Sequence, residues 1–210
     1  MSAAALFAPL APRNREDAAR PAPAELPTMY SAGAEIYAQG DRADRLYRVA
    51  FGAVRVYRLL ADGRRQICAF YLPGEVFGFE VDGRHHFFAE AACASGIAAI
   101  RQVSSDEASR EHLESALRSL VRAQEHLLVV GRQNALERIA AFLVDMAERQ
   151  GDLAQFDLPM SRSDIGDYLG LTIETVSRVF SKLRAQGVIR LLGIRSVEMA
   201  KPGVLRALCE

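Results

Sequence analysis

Apolar and polar positions alternate in different ways along the chain, and the changes of rhythm mark its elements. Residues 1–28 hold no rhythm: they are Ala and Pro with scattered charges, which cannot supply a core and predict a disordered or extended N-terminal arm. From 29 to 104, short runs of Val, Ile, Tyr and Phe are cut by Gly33, Gly40, Gly52, Gly63 and Gly74. After Gly40 these glycines recur at 12, 11 and 11 residues. Within LYRVAFGAVRVYRLLADGRRQICAFYLPGEVFGF, Val54 and Val56 face one way and Arg55 and Tyr57 the other. Asp62-Gly63 between two such runs is a hairpin signal. Turns at this spacing predict an antiparallel β-roll or jelly roll, not a parallel sheet.

The period changes near Ser105. Leu113, Leu117, Leu120, Gln124 and Leu127 recur at alternating steps of four and three, the seam of a coiled coil. From Arg110 to Gly131 such a helix would be about 33 Å long at 1.5 Å per residue. Its stripe must be buried, either on the chain's own β-domain or in parallel pairing with a second copy. Gln124 inside the seam would then help fix register. We assign 105–133 to this dimerisation helix. The run 132–150 continues helical, with Leu136, Ile139, Ala140, Leu143 and Met146 on one face. Gly131 to Asn134 is a candidate hinge before a C-terminal segment over 134–210.

That segment carries the chemistry, in MSRSDIGDYLGLTIETVSRVFSKLRAQGVIRLLGIRSVEM. Ser161 and Asp164 have capping-box spacing, Gly170 suits a helix stop, and Thr172 offers a second N-cap before Gly187 ends the next helix. Ile165, Tyr168 and Leu169 on the first helix can pack against Val176, Val179, Phe180 and Leu183 on the second. Two helices joined by a short glycine-containing turn predict a helix-turn-helix. The runs flanking Gly193 then predict a wing hairpin, with Arg190 and Arg195 placed to approach phosphates.

The second helix shows Glu174, Thr175, Ser177, Arg178, Ser181 and Lys182 on its outer side. Glu174 with Arg178 reads equally well as an ordinary i,i+4 pair on a solvated face. The same types suit a major groove: Arg grips guanine O6 and N7, Glu accepts from cytosine N4, and Ser serves either role. Lys182 and Arg184, farther along, fit phosphates.

Composition changes this picture little. The net charge is zero, but 161–210 holds eight Lys/Arg against five Asp/Glu while the rest holds 18 against 21, a mildly basic tail on an acidic body. Cys68, Cys93 and Cys209 form no C-x-x-C, and the four histidines lack zinc-site spacing with them, so no metal ligand or cofactor is assigned. No run approaches the roughly 20 apolar residues of a membrane span, and the first residues make a poor secretory signal, so the expectation is cytoplasmic. No G-x-S-x-G, Walker loop or H-E-x-x-H appears, so the chain is not expected to be an enzyme.

The order β-roll, long helix, winged helix-turn-helix resembles the CRP/FNR family of bacterial transcription regulators over about Met29 to Leu208. The most specific stretch is SRSDIGDYLGLTIETVSRVFSKLRAQGVI, in which Glu174-x-x-Ser177-Arg178 is the signature of the FNR-like branch. The resemblance implies an α+β protein: an N-terminal cyclic-nucleotide-binding-like jelly roll, a dimerisation helix and a C-terminal DNA reader. It implies binding to double-stranded DNA as a homodimer at a palindrome of the type TTGAT-N4-ATCAA. Arg178 would read the guanine, Glu174 a base nearby on the opposite strand, and Ser177 a thymine. Ser161, Arg162, Thr172, Thr175, Lys182, Arg184 and Arg195 would serve the DNA backbone. Gly78, Phe79, Glu80, Asp82 and Arg84 correspond to a family surface that touches RNA polymerase.

The family's effector chemistries fit this chain unequally. Cyclic-nucleotide binders place Glu and an Arg-Ser pair where this chain has Phe79 and Phe87-Phe88, which would leave a phosphate unpaired. An iron–sulfur cluster needs N-terminal cysteines, and none precedes Cys68. LPGEVFGFE, His86, Phe88 to Ala91 and DYLGLTIETVSR resemble the FixK group, FNR-like readers without a cluster that activate microaerobic, nitrogen-fixation or denitrification genes. Two alternatives stay open: a haem-based nitric oxide sensor using His85, His86 or His112, and a ligand-binding protein whose winged helix contacts protein rather than DNA.

Overall fold

The computed structural model describes residues 26–100, 106–131 and 134–209. The expected arm lies almost wholly outside the described residues, and Thr28 already opens a strand. Eight strands follow: β1 (Thr28–Tyr30), β2 (Glu35–Tyr37), β3 (Leu46–Phe51), β4 (Val54–Leu59), β5 (Arg65–Tyr71), β6 (Val76–Phe77), β7 (Phe88–Ala91) and β8 (Ser95–Ile100). They form two four-stranded antiparallel sheets, ordered β1-β8-β3-β6 and β2-β7-β4-β5. The β4–β5 hairpin turns at Asp62-Gly63 as its sequence requires, Gly63 taking a φ of 80°.

The alternation along β4 sends its side chains to two different cores. Val54 and Val56 join Tyr37, Val49, Phe77, Ala89 and Ile97 inside the roll. Tyr57 faces outward with Arg55, but it is buried, because other elements cover that side of the sheet. A second cluster joins Tyr57, Ile67 and Phe70 to Ile139, Phe142, Leu143 and Met146 and on to Ile165, Val179 and Leu183. The C-terminal unit is therefore packed on the roll, not tethered beside it.

Helix α1 (Asp106–Val130) carries 25 residues, about 37 Å. Helix α2 (Ala135–Arg149) starts at Asn134, whose side chain accepts from the Leu136 N–H, and buries the apolar face expected from its period. The candidate hinge falls between these helices; 132–133 lie outside the described residues. Strand β9 (Gln155–Asp157) leads to α3 (Arg162–Leu169), α4 (Ile173–Ala185), β10 (Ile189–Leu191), β11 (Ser196–Met199) and a short α5 (Pro202–Ala207). The wing is a three-stranded sheet ordered β10-β11-β9, one strand more than the hairpin expected from the residues around Gly193.

Candidate nucleic-acid interface

Helix α3 begins where its sequence says. The Ser161 hydroxyl accepts from the Asp164 N–H at 3.0 Å, and the Ser161 N–H donates to Asp164 Oδ2 at 3.0 Å, closing a capping box. The helix ends at Gly170, left-handed at a φ of 65°, and Arg138 Nη1 donates to the Leu169 carbonyl at 3.1 Å. Two residues later Thr172 caps α4, accepting from the Thr175 N–H at 3.3 Å. The turn is tight enough that a Cβ on Gly166 would meet the Leu171 carbonyl at 2.6 Å, so glycine is needed there.

Behind α4, Val176, Val179, Phe180 and Leu183 are buried with Ile165 and Leu169, as expected. Tyr168 departs from that expectation. Its ring stacks on His126 of α1 at 3.8 Å and approaches Phe70 at 5.2 Å, so it packs α3 onto α1 and the roll instead of onto α4.

In front, Glu174, Ser177, Arg178, Ser181, Lys182 and Arg184 are all exposed. The Glu174 carboxylate is held below its ordinary range, first by its own backbone N–H and then by Thr172, with Arg178 adding the least. Interaction with the helix start thus outweighs the i,i+4 partner. Arg195 lies exposed in the wing turn. Arg190 pairs across the hairpin with Glu198 at 3.2 Å, which its register dictates. Arg162 differs from the other basic residues: it is half-buried with its guanidinium 3.2 Å over the Phe180 ring, and burial lowers its pKa to about 10. Ser161 is exposed, but its hydroxyl is already engaged by Asp164.

The opposite side of α3 is tied to the roll by charge, which the sequence reading missed. Asp164, 2% exposed, accepts from Arg65 Nη2 at 2.6 Å and from Arg55 Nη1 at 3.3 Å. Asp167 accepts from the same Arg65 Nη2 at 2.8 Å, and its carbonyl accepts from Gln66 Nε2 at 2.7 Å. Glu90 completes the group, accepting from Arg55 at 2.6 Å and from the Tyr57 hydroxyl at 2.6 Å. Each buried charge has a partner, the condition under which such groups are tolerated.

On α1 the seam residues Leu113, Leu117, Leu120 and Leu127 are 60%, 51%, 54% and 72% exposed, and Gln124 lies among them. Val121 and Leu128, not singled out by the strict repeat, extend the same apolar face at 51% and 72%. The opposite face, with Ala116, Ser119, Arg122, His126 and Val129, looks onto a cavity of about 500 Å³ between the helices and the roll. Of the loop named as a polymerase surface, Val81, Asp82 and Arg84 are exposed, whereas Gly78, Phe79 and Glu80 line that cavity.

Residues 27–117 match the cyclic nucleotide-binding domain family, and residues 137–208 match the Crp-like helix-turn-helix domain family. The chain belongs to the CRP/FNR family. Two relatives are each named "Nitrogen fixation regulation protein FixK". One, from Rhizobium meliloti (strain 1021), is 56% identical over 90% of this chain and 91% of its own length. The other, from Azorhizobium caulinodans, is 41% identical over 87% and 78%. The solved structure of FixK2 from Bradyrhizobium japonicum superposes with a TM-score of 0.81 at 40% identity, covering 87% of this chain and 96% of that one.

As a CRP/FNR protein the chain is a DNA-binding transcription regulator and not an enzyme, and no helix among its described residues is long and apolar enough to cross a membrane. Its roll does not fit the ligand for which its domain family is named. The cavity is lined by Phe79 and Phe87, and its arginines are committed elsewhere: Arg149 to Glu75 at 2.7 Å and Asp145 at 3.2 Å, Arg122 to Glu75 at 3.5 Å. With the carboxylates of Glu80, Glu125, Asp145 and Glu148 also in the wall, a cyclic phosphate would meet acidic groups and no uncommitted arginine. Phe88, expected beside Phe87 in that wall, instead stacks on Tyr57.

Proposed function

We propose that the protein is a FixK-type activator whose homodimer binds a TTGAT-N4-ATCAA-type palindrome in the cytoplasm and controls microaerobic, nitrogen-fixation or denitrification genes. The observation that carries this reading is the outer face of α4, where Glu174, Ser177 and Arg178 stand solvent-exposed on the first half of a helix whose other face is buried. Arg178 matches guanine, Glu174 cytosine and Ser177 thymine in donor and acceptor type. Thr172, Thr175, Lys182, Arg184 and Arg195 surround them as phosphate ligands, and the positive end of the helix dipole favours the same anion. The names of the relatives support the physiological assignment.

The exposed seam of α1 supplies the twofold axis such a site requires. Paired in parallel, the helices would cover Leu113, Leu117, Leu120 and Leu127 around Gln124. The exposed Asp82 and Arg84 are the part of the β6–β7 loop offered to RNA polymerase. We take 29–104 as the roll, 105–133 as the dimerisation helix and 134–210 as the reader.

A salt titration of binding to the palindrome and to a scrambled duplex tests this reading. Affinity should fall steeply with salt on both and favour the palindrome by at least about a thousandfold. Equal affinity for both duplexes would overturn the base-reading assignment. Leu117→Glu with Leu120→Glu should give a monomer by sedimentation that no longer binds the palindrome as a unit; a surviving dimer would move the interface off α1.

A further inference from the structure

The link between α3 and the roll fixes a direction as well as a contact. Arg65 Nη2 donates to Asp164 and to Asp167, and Arg65 Nε donates to Asp167 Oδ2 at 3.1 Å. The two carboxylates lie on one face of α3, so a single guanidinium of β5 clamps the helix along its length. Gln66, the next residue of β5, holds the Asp167 carbonyl. From β4, Arg55 Nη1 donates to both Asp164 oxygens at 3.3 and 3.4 Å, and Arg55 is itself held by Glu90, its register partner on β7. Three neighbouring strands thus contribute to one grip on a single helix.

The grip reaches α4 through rigid parts. Asp164 Oδ2 also accepts from the Ser161 N–H and hydroxyl at 3.0 and 2.8 Å, so the carboxylate that starts α3 is the one that ties it to the roll. Helix α4 follows three residues after α3 and shares its core through Val176, Val179, Phe180 and Leu183. Where α3 is held, α4 is held.

The roll in turn is fixed to α1 by the Arg48–Glu111 and Arg122–Glu75 pairs. Helix α1 ends at Val130 and α2 starts at Ala135, so no continuous helix carries the direction of α1 into the reader. Contact with the roll must therefore set where α4 stands relative to a twofold axis along α1. Its apolar part, Phe70 against Phe142 and Tyr168, is non-directional and tolerates small rotations. The hydrogen bonds of Arg65 do not, because they weaken steeply as distance and angle depart from the optimum.

On DNA that difference has a consequence. Each base pair advances the duplex by roughly 3.4 Å and turns it by about 35°. A reader following a shift of that size would have to give up the Arg65 bonds. We propose that Arg65, supported by Gln66 and Arg55, is a positioning residue that sets the spacing between the two half-sites, a role that rests on reading α4 as the base reader and α1 as the dimer seam. It adds selection for the length of the spacer to selection for the bases on either side.

Fluorescence anisotropy of the full-length protein on duplexes with TTGAT and ATCAA separated by three, four or five base pairs tests this role. The wild-type chain should favour the four-base-pair spacer by at least about a hundredfold. Arg65→Gln, and separately Asp167→Asn, which lies outside the capping box at a partly exposed side chain, should each lower that ratio at least about tenfold by removing preorganisation. Arg64→Gln, adjacent in the chain but paired with Asp62 in the hairpin turn, should leave it unchanged. A variant that is merely less folded would lose affinity for all three duplexes alike, so the ratio separates positioning from stability. A ratio unchanged in both Arg65→Gln and Asp167→Asn, or a wild-type chain indifferent to spacer length, would overturn the proposal while leaving the base reading in place. A wild-type chain that does not prefer the palindrome to a scrambled duplex would overturn the base reading and this role together.

Discussion

Helices α3 and α4 are separated by three residues in the same unit and both carry charge, yet they direct it oppositely. On α3 the carboxylates of Asp164 and Asp167 face the roll and are satisfied by Arg55 and Arg65. On α4 Glu174, Arg178, Lys182 and Arg184 face water. The same residue types thus do two jobs that are distinguishable only by what stands opposite them. Desolvated and fully paired charges set where the reader sits on the roll, since displacing it would strand them. Solvated charges contribute little to stability and remain available to a partner.

The comparison is broken most severely at Asp164. Asp164→Ala removes the capping acceptor and the carboxylate shared by Arg55 and Arg65, leaving Arg55 to Glu90 and Arg65 to Asp167, so it should destabilise the fold by about 2–3 kcal/mol in urea denaturation. Glu174→Ala, at the corresponding turn of α4, should stay within about 0.5 kcal/mol. Similar losses for the two would mean that the charges on α3 contribute no more than surface charges.

The second anchor of α3 is the stack of Tyr168 on His126, and it predicts a pH dependence. Burial holds the His126 pKa down to about 4, against 6.5 for a free imidazole. The folded state therefore binds fewer protons than the unfolded state between those values. Stability from this site is fully present above about pH 6.5 and is lost as the pH falls toward 4. His126→Phe keeps the stacking ring and should flatten that part of the stability–pH curve; an unchanged slope would show that His126 is solvated.

How much of this was legible follows from the range of each interaction. Ser161, Asp164, Gly170 and Thr172 act on neighbours within four residues, so the helix-turn-helix is written locally and can be read locally. The seam on α1 was equally plain because its period lies in one helix. The anchor was not legible, because Arg65 and Asp164 are brought together only by the fold and the capping box already gave Asp164 a sufficient role. Tyr168 was hidden for the same reason: its partner His126 lies on the face of α1 opposite the seam.

On α4 the comparison sharpens into binding without stability. Arg178→Ala should leave the unfolding curve in place while lowering palindrome affinity by about 1–3 kcal/mol per half-site and relaxing discrimination at guanine. Discrimination retained at that base would move the readout to another residue.

Arg184, six residues farther along and also exposed, separates the two kinds of surface charge on a single helix. A side chain there reaches phosphate more readily than a base edge, because the helix axis rises out of the groove beyond its N-terminal half. Arg184→Ala should weaken palindrome and scrambled duplex by similar factors and reduce the slope of log affinity against log salt by about 0.9 for each phosphate no longer neutralised. A loss confined to the palindrome would place Arg184 among the base readers, and the contrast between α3 and α4 would then extend along the whole outer face of α4.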